Sequence, residues 1–408
     1  MEIQFIEGGV CAPKGFWAGG VHCGIRKNRE KKDLALIYSE KECTAAGVYT
    51  QNKVKGAPVT VTQQHLANGK AQAVLCNSGN ANTCNADGEF IANSMCQAAA
   101  KTLNIDPQKI IIGSTGVIGQ PLPLQPIVNA MDQLKSSLQT GAQGSDAAAQ
   151  AIMTTDTKKK EAAVSFLIGG KPCCIGGICK GSGMIHPNMA TMLCFMTSDA
   201  AISGEMIKKA VKEVTDDTFN MVSVDGDTST NDTFTLMANG LAGNPEITGP
   251  GKDYDDFKAG LMAVCRRLAR EMAADGEGAT KLLECHVSGA PEKQTAVKVS
   301  KAVITSSLLK AAMFGADANW GRILCAVGYA DAQFDIGKVG VTLGSAKGTI
   351  EVCKNGSGVE FSEEKAKQIL LEDEIHIDIS MDQGGGEATA WGCDLTYDYV
   401  KINGDYRT

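Results

Sequence analysis

Between Lys180 and Leu193 the chain reads KGSGMIHPNMATML: a glycine-bearing polar turn, then Pro187-Asn188-Met189-Ala190, then Thr191 and an apolar run. Thr191 to Met196 reads as a short buried strand, so the fold must hold a strand inside a sheet with its first residue at the end of a polar turn. That is a rigid mount for a side chain. A threonine so placed can attack the carbonyl of Ala190, giving an ester by N-to-O acyl shift, and hydrolysis of that ester leaves Thr191 as a new N-terminus. Threonine is a weak nucleophile unless a base stands beside it, and its own liberated α-amino group is one recognised arrangement. An α-amine titrates near pH ~8, close to where a useful base lies. On the residues alone, Thr191 also reads as a β-branched residue opening a strand.

The 408 residues exceed a typical single domain and point to two packed cores. With 43% hydrophobic and 5% aromatic residues, the interior is built from aliphatics and alanine. A net charge of -7 without a basic stripe argues against nucleic acid. The first twenty residues lack a basic segment followed by a continuous apolar one, and no apolar run reaches spanning length, so no secretory signal or membrane span is expected. A cytoplasmic location follows. Fifteen cysteines without a C-x-x-C pair, odd in number, make a disulfide framework or structural zinc a poor reading. Cys173, Cys174 and Cys179, the closest cluster, read as small buried apolar side chains.

Strand and helix signals alternate throughout, which marks an α/β protein. Ala71 to Cys76 and Lys109 to Ile112 read as buried strands, opening into the turns Asn77-Ser78-Gly79-Asn80 and Gly113-Ser114-Thr115-Gly116. Ala162 to Ile168 and Pro172 to Cys179 read as a hairpin joined by Gly169-Gly170. Behind a possible N-cap at Ser203, Met206, Ile207, Ala210, Val211 and Val214 share one helix face. A longer helix carries Phe257, Leu261, Val264, Cys265, Leu268 and Met272 inward, with Arg266, Arg267 and Arg270 on a solvated face. Beyond Cys285 the pattern reads as a helix through Leu309, strands from Val339 to Val352, then a helix and a strand ending near Met381. This suggests a catalytic domain of residues 1–285 and a smaller α/β domain of residues 286–408.

Nine stretches, in order along the chain, carry a family resemblance. They are GGVCAPKGF, CNSGNAN from Cys76, GSTGVIG from Gly113, MTTDT from Met153, the KGSGMIHPNMATML segment, TFNMVSVDGDTSTNDT from Thr218, DGEGATK from Asp275, FGADANWGRI from Phe314, and the closing WGCDLTYDYVKINGDYRT. Together they resemble the glutamate N-acetyltransferases, or ornithine acetyltransferases, of arginine biosynthesis. The resemblance covers essentially the whole chain. It implies a layered α/β sandwich of the self-cleaving ornithine acetyltransferase and aminopeptidase type. It also implies a cut between Ala190 and Thr191, giving an α chain (residues 1–190) and a β chain (residues 191–408) that stay associated as an α2β2 heterotetramer or a higher assembly.

The resemblance further implies a ping-pong reaction in which Thr191 takes acetyl from N2-acetyl-ornithine and passes it to glutamate, without cofactor. It leaves open whether acetyl-CoA also serves as donor. Thr115 and Gly116 match the family's oxyanion-hole pair. Thr154, Lys180, Thr191, Glu277, Asn403 and Thr408 match its substrate-contacting positions. Of these, Lys180 suits a substrate carboxylate and Glu277 a substrate ammonium. Site residues at the extreme C-terminus imply a tail tucked into the cleft.

Two other motifs lead nowhere. Gly384-Gly385-Gly386 lacks the Lys-Ser/Thr of a phosphate loop. The acidic run at Asp225, Asp227 and Asp232 lacks the glycine and final glutamate of a calcium loop and reads as a polar turn shaping the site, so no metal is expected. Two rival functions remain: an N-terminal-threonine amidase or aminopeptidase, in which water discharges the acyl-threonine, and a non-catalytic amino-acid-binding protein whose chain is never cut.

Overall fold

The computed structural model describes residues 2–186 and 192–405. Among them, the strands in chain order are β1 (Gln4–Ile6), β2 (Phe16–Val21), β3 (Leu34–Tyr49), β4 (Lys70–Asn80), β5 (Ile110–Val117), β6 (Lys160–Ile168), β7 (Lys171–Lys180) and β8 (Leu193–Ser198). They continue with β9 (Val222–Ser223), β10 (Thr233–Ala238), β11 (Leu282–Ala290), β12 (Gly340–Ser345), β13 (Gly348–Lys354), β14 (Ser357–Gly358), β15 (Glu374–Ser380) and β16 (Gly386–Cys393). They form two sheets. A nine-stranded sheet runs β1-β6-β7-β8-β10-β3-β4-β5, with β2 also on β3, and a seven-stranded sheet runs β14-β13-β12-β15-β11-β16-β9. This is the mixed α/β architecture that the alternating pattern predicts.

The first sheet puts the segment of interest at its centre. β8 is buried along its whole length. It lies between β7, antiparallel from Ile175↔Ser198 to Lys180↔Leu193, and β10, parallel from Leu193↔Thr233 to Ser198↔Ala238. Only a strand covered on both faces tolerates an unbroken apolar run. The described strand begins at Leu193, two residues after the expected start at Thr191. The predicted hairpin is β6–β7, and its turn glycines take positive φ, +55° at Gly169 and +77° at Gly170. Positive φ at both central residues is what a tight hairpin needs to match strand twist.

Helices cover both faces of this sheet. Gly204–Asp216 starts where predicted: the Ser203 hydroxyl accepts from Met206 N, and Met206, Ile207, Ala210, Val211 and Val214 are buried. Beside it Lys252–Ala274 buries Phe257, Leu261, Val264, Cys265, Leu268 and Met272, with its apolar side against β6 and β7. On the other face Gly141–Ile152, Gly88–Leu103 and Leu124–Ser136 complete two smaller cores.

The C-terminal half departs from the sequence reading in three places. The segment from Cys285 does not go straight into helix. β11 runs to Ala290, Lys293–Thr305 is helical, and the helix breaks at Ser306, whose hydroxyl accepts from Leu309 N and starts Ser307–Phe314. A non-helical backbone at Ser306 (ψ 107°) turns one expected helix into two. A boundary at residue 285 would also fall inside β11, and β9 reaches the second sheet from further upstream. Finally, the arginines are not simply solvated. Arg267 lies over the Phe5 ring at 5.2 Å, and Arg270 pairs with Glu374 and, at 3.6 Å, with Glu284, fastening the long helix to the second sheet.

Candidate active site

Six residues from separate stretches of sequence line one cavity of about 320 Å3: Thr115, Gly116, Thr154, Lys180, Glu277 and Asn403. Every site residue expected from the sequence that lies within the described residues is there. Ala190, Thr191 and Thr408 lie outside the described residues. A larger cleft of about 790 Å3 opens elsewhere, beside Phe5, Lys159, Arg267 and Glu271, and contains none of the six. The candidate site is thus chosen by the residues that line it rather than by size.

Thr115 and Gly116 come from the end of β5, where parallel pairing with β4 becomes irregular at Gly79 and Asn80. Gly116 has φ +134°, and a Cβ there would stand 2.3 Å from Gly79 C and 2.5 Å from Asn80 N. Only glycine can be packed this tightly. The turn is fixed by buried amides and hydroxyls. Ser114 Oγ donates to Asn77 Oδ1 (2.6 Å), Asn77 Nδ2 to Asn80 O (2.9 Å), and Asn231 Nδ2 to Ser114 O (2.9 Å) and Ala81 O (2.6 Å). Such a network holds backbone donors in fixed directions, as transition-state stabilisation requires.

Lys180 ends β7 and is 8% exposed. Its Nζ lies 3.8 Å from Asp156 Oδ2. Asp156 is the hub of an ionic cluster: its Oδ1 accepts from Lys160 Nζ (2.8 Å) and Gly181 N (2.8 Å), its Oδ2 from Thr154 N (3.0 Å). Lys160 also donates to Asp275 Oδ2 (2.6 Å), and Asp275 accepts from Thr157 N and its hydroxyl. Burial by itself would raise the Asp156 pKa, but the charges of Lys180 and Lys160 outweigh it and hold the carboxyl well below the usual range. Lys160 likewise keeps its proton, because Asp156 and Asp275 overcome its burial. The cluster ties the Thr154 segment to the strand end that presents Lys180.

Glu277 sits opposite, 8% exposed. Its N donates to Ser182 O (2.8 Å), and its Oε2 accepts from Asn403 Nδ2 (2.7 Å) on the last helix, Tyr397–Gly404. A Cβ on Gly183 would fall 2.3 Å from the Glu277 carboxylate, so the glycine clears the space that the carboxylate fills. Asn403 thus reaches the cavity wall.

The acidic run is a polar turn, and Asp225 is its active member. Its carboxylate accepts from Met184 N (2.6 Å) and Ile185 N (2.8 Å), while Val224 N donates to Ile185 O (2.7 Å) and Thr228 Oγ1 to His186 O (2.9 Å). The chain is therefore clamped just ahead of residue 187. Thr233 N to Met192 O (2.8 Å) and the β7–β8 pairing hold it just after residue 191. His186, beside the Ser223 hydroxyl at 3.0 Å, has its pKa lowered by burial and by Lys301 against the pull of Asp225, which suits a neutral structural ring.

Asp156 and Asn231 brace the cavity wall, and the sequence motifs alone do not mark either of them. Asp156 had a signal, since Lys160 follows it by four residues. Asn231 had none, because the carbonyls its side-chain amide donates to lie more than a hundred residues away.

A protein-family model described as the ArgJ family matches residues 17–408. Two relatives, each called "Arginine biosynthesis bifunctional protein ArgJ", are matched over 100% of both chains: one from Caldanaerobacter subterraneus subsp. tengcongensis at 49% identity, one from Symbiobacterium thermophilum at 50%. The crystal structure of the arginine biosynthesis bifunctional protein argJ from Bacillus halodurans is 44% identical. It covers 52% of this chain and 98% of its own, with a TM-score of 0.50. With a model spanning nearly the whole sequence and relatives matched end to end, the chain belongs to the ArgJ family.

Proposed function

We propose that this chain is the acetyltransferase of arginine biosynthesis that moves acetyl from N2-acetyl-ornithine to glutamate through an acetyl ester on Thr191, formed after the chain cuts itself between Ala190 and Thr191. The observation that carries the reading is the single cavity in which Thr115, Gly116, Thr154, Lys180, Glu277 and Asn403 converge.

The roles follow from chemistry. The Thr191 hydroxyl attacks the acetyl carbonyl of acetylornithine, and its own amine takes the proton. Thr115 and Gly116 supply donors to the oxyanion of the tetrahedral intermediate. Ornithine leaves with a proton on its amine, glutamate enters, and its amine attacks the ester. Lys180 pairs with the substrate carboxylate, while Glu277 receives a substrate ammonium, steadied by Asn403. Thr154 and Thr408 complete the substrate contacts. Acetyl passes from one amino acid to the other through Thr191, and the reaction as proposed uses no cofactor. The word "bifunctional" in the relatives' names supports a second reaction, with acetyl-CoA as donor to glutamate.

Support for the cut comes from two sides. β7 and β8, on either side of the junction, are hydrogen-bonded neighbours, so chains of residues 1–190 and 191–408 would remain one sheet. A solved relative whose chain is 98% matched by only 52% of this one has the length such a cut would leave. We take the assembly to be α2β2 and the location cytoplasmic, where fifteen unbridged cysteines are at home. No helix among the described residues is long and apolar enough to cross a membrane. The two sheets suggest a larger catalytic unit and a smaller C-terminal one.

Incubation with acetylornithine, with and without glutamate, tests the reading. Acetylglutamate should form one-for-one with ornithine. Acetyl release that ignores glutamate would instead identify an amidase.

A further inference from the structure

One buried acid beside the site has no place in that mechanism. Asp232 is 2% exposed, and its Oδ2 has no hydrogen-bond partner among the described residues. A buried oxygen left without a partner is destabilising, so it calls for an explanation. Asp232 borders a small void of about 30 Å3 lined also by Thr115, Lys180, Ser229, Asn231 and Met192. Roughly 10–15 Å3 open to a water molecule suffices to hold one, provided polar partners are present. Here a carboxyl oxygen, a hydroxyl, an ammonium and an amide surround the space. Met192, the chain neighbour of the nucleophile, lines it too.

We infer that this void is the binding site of the one water that completes chain cleavage, with Asp232 as the group that orients and deprotonates it. The inference rests on the self-cleavage reading. The acyl shift leaves Ala190 esterified to Thr191 Oγ. The water oxygen bonds to the ester carbon while its proton passes to the Asp232 carboxylate. The C–O bond to Thr191 then breaks, and Oγ takes the proton back from Asp232. The products are a carboxyl at Ala190 and a free hydroxyl, and Asp232 is unchanged.

Burial raises the Asp232 pKa well above the carboxylate range, against the pull of a hydrogen bond with Ser229 and the charge of Lys180 on β7. Lys180 is the charged side chain facing it across the void, since Thr115, Ser229, Asn231 and Met192 carry no charge. The active form is the carboxylate, so cleavage should quicken as pH rises.

The test is to synthesise wild-type, Asp232→Asn and Thr191→Ala chains in a cell-free system and follow the intact precursor by mass spectrometry across pH. Asp232→Asn should slow cleavage by about 10²-fold or more, as loss of a general base does. It should also flatten the pH dependence and leave the melting temperature near wild type. Cleavage of that variant at the wild-type rate would overturn the inference alone. A wild-type chain that stays whole would sink the self-cleavage reading and this inference with it. Should Asp232→Asn fail to fold, a high-resolution crystal structure of Thr191→Ala decides. Water within hydrogen-bond distance of Asp232 Oδ2 supports the site, and a void without water density refutes it.

Discussion

Two of the ionic clusters among the described residues differ more in their settings than in their composition. At the cavity, Asp156, Asp275, Lys160 and Lys180 are almost wholly enclosed, with side-chain exposures between 0 and 10%. Between the long helix and the second sheet, Arg270, Glu284, Glu374 and His376 form a similar lattice, but Arg270 and Glu374 are 34% and 45% exposed. Water already satisfies the second set and screens it, so each contact adds little. The first set relies on its own members and a few backbone and hydroxyl donors, so removing one charge leaves the others short of compensation in a low dielectric. The buried cluster therefore works as a scaffold that aims Lys180, while the exposed one stitches two layers together.

The sharpest way to break this contrast is Asp156→Ala, which leaves Lys160 and Lys180 short of a counter-charge. Chemical unfolding should show a loss of about 3–5 kcal/mol. A loss below 1 kcal/mol would erase the distinction between the clusters. The pH dependence has the same origin. Because the folded pKa of Asp156 is depressed, its contribution is complete above the unfolded value near ~3.9 and declines only as pH falls below that. Lys160 is raised, so its share is complete below ~10.4 and declines as pH climbs through the folded value. Melting temperatures should thus be insensitive to this cluster between about pH 5 and 9, and a melting transition that tracks its titration near pH 7 would contradict the assignment.

Gly116→Ala should come next, and in activity rather than stability. The added methyl meets backbone at 2.3 Å and must displace the strand end that carries Thr115. A fall in kcat of about 10²-fold, the cost of one misplaced oxyanion donor, is expected from steady-state assays. Ser203→Ala provides a yardstick remote from both clusters. Losing its cap to Met206 N should cost about 1 kcal/mol by denaturant titration. The smallest effect belongs to Arg270→Ala, below about 1 kcal/mol and shrinking further with added salt. If Arg270→Ala proved more damaging than Ser203→Ala, the exposed lattice would be a structural keystone after all.

What could be read from the sequence divides along physical lines. Local periodicity located the β6–β7 hairpin, the Ser203-capped helix and the long helix, because spacing and turn chemistry decide those elements. The motifs also named six residues that meet in one cavity. The sequence did not reveal that β3 is a sixteen-residue strand shared by β2, β4 and β10, since that depends on pairing across the chain. Nor did it reveal the Ser306 break, where one hydroxyl divides an otherwise continuous helical pattern. Asp156 and Asn231 escaped notice for the same reason: their importance lies in partners, and partners are a property of the fold. Helix periodicity places Arg270 on a solvated face, while the second sheet that meets this face comes from elsewhere in the sequence.

The central claim is that the link between Ala190 and Thr191 breaks and that the residue thus exposed carries the acetyl group. Mass spectrometry of purified protein, untreated and after brief exposure to acetylornithine, addresses it directly. Two chains should appear in place of the 42.8 kDa precursor, the second beginning at Thr191 and gaining one acetyl group from the substrate. A single intact chain, or an acetyl group found on any other residue, would contradict it.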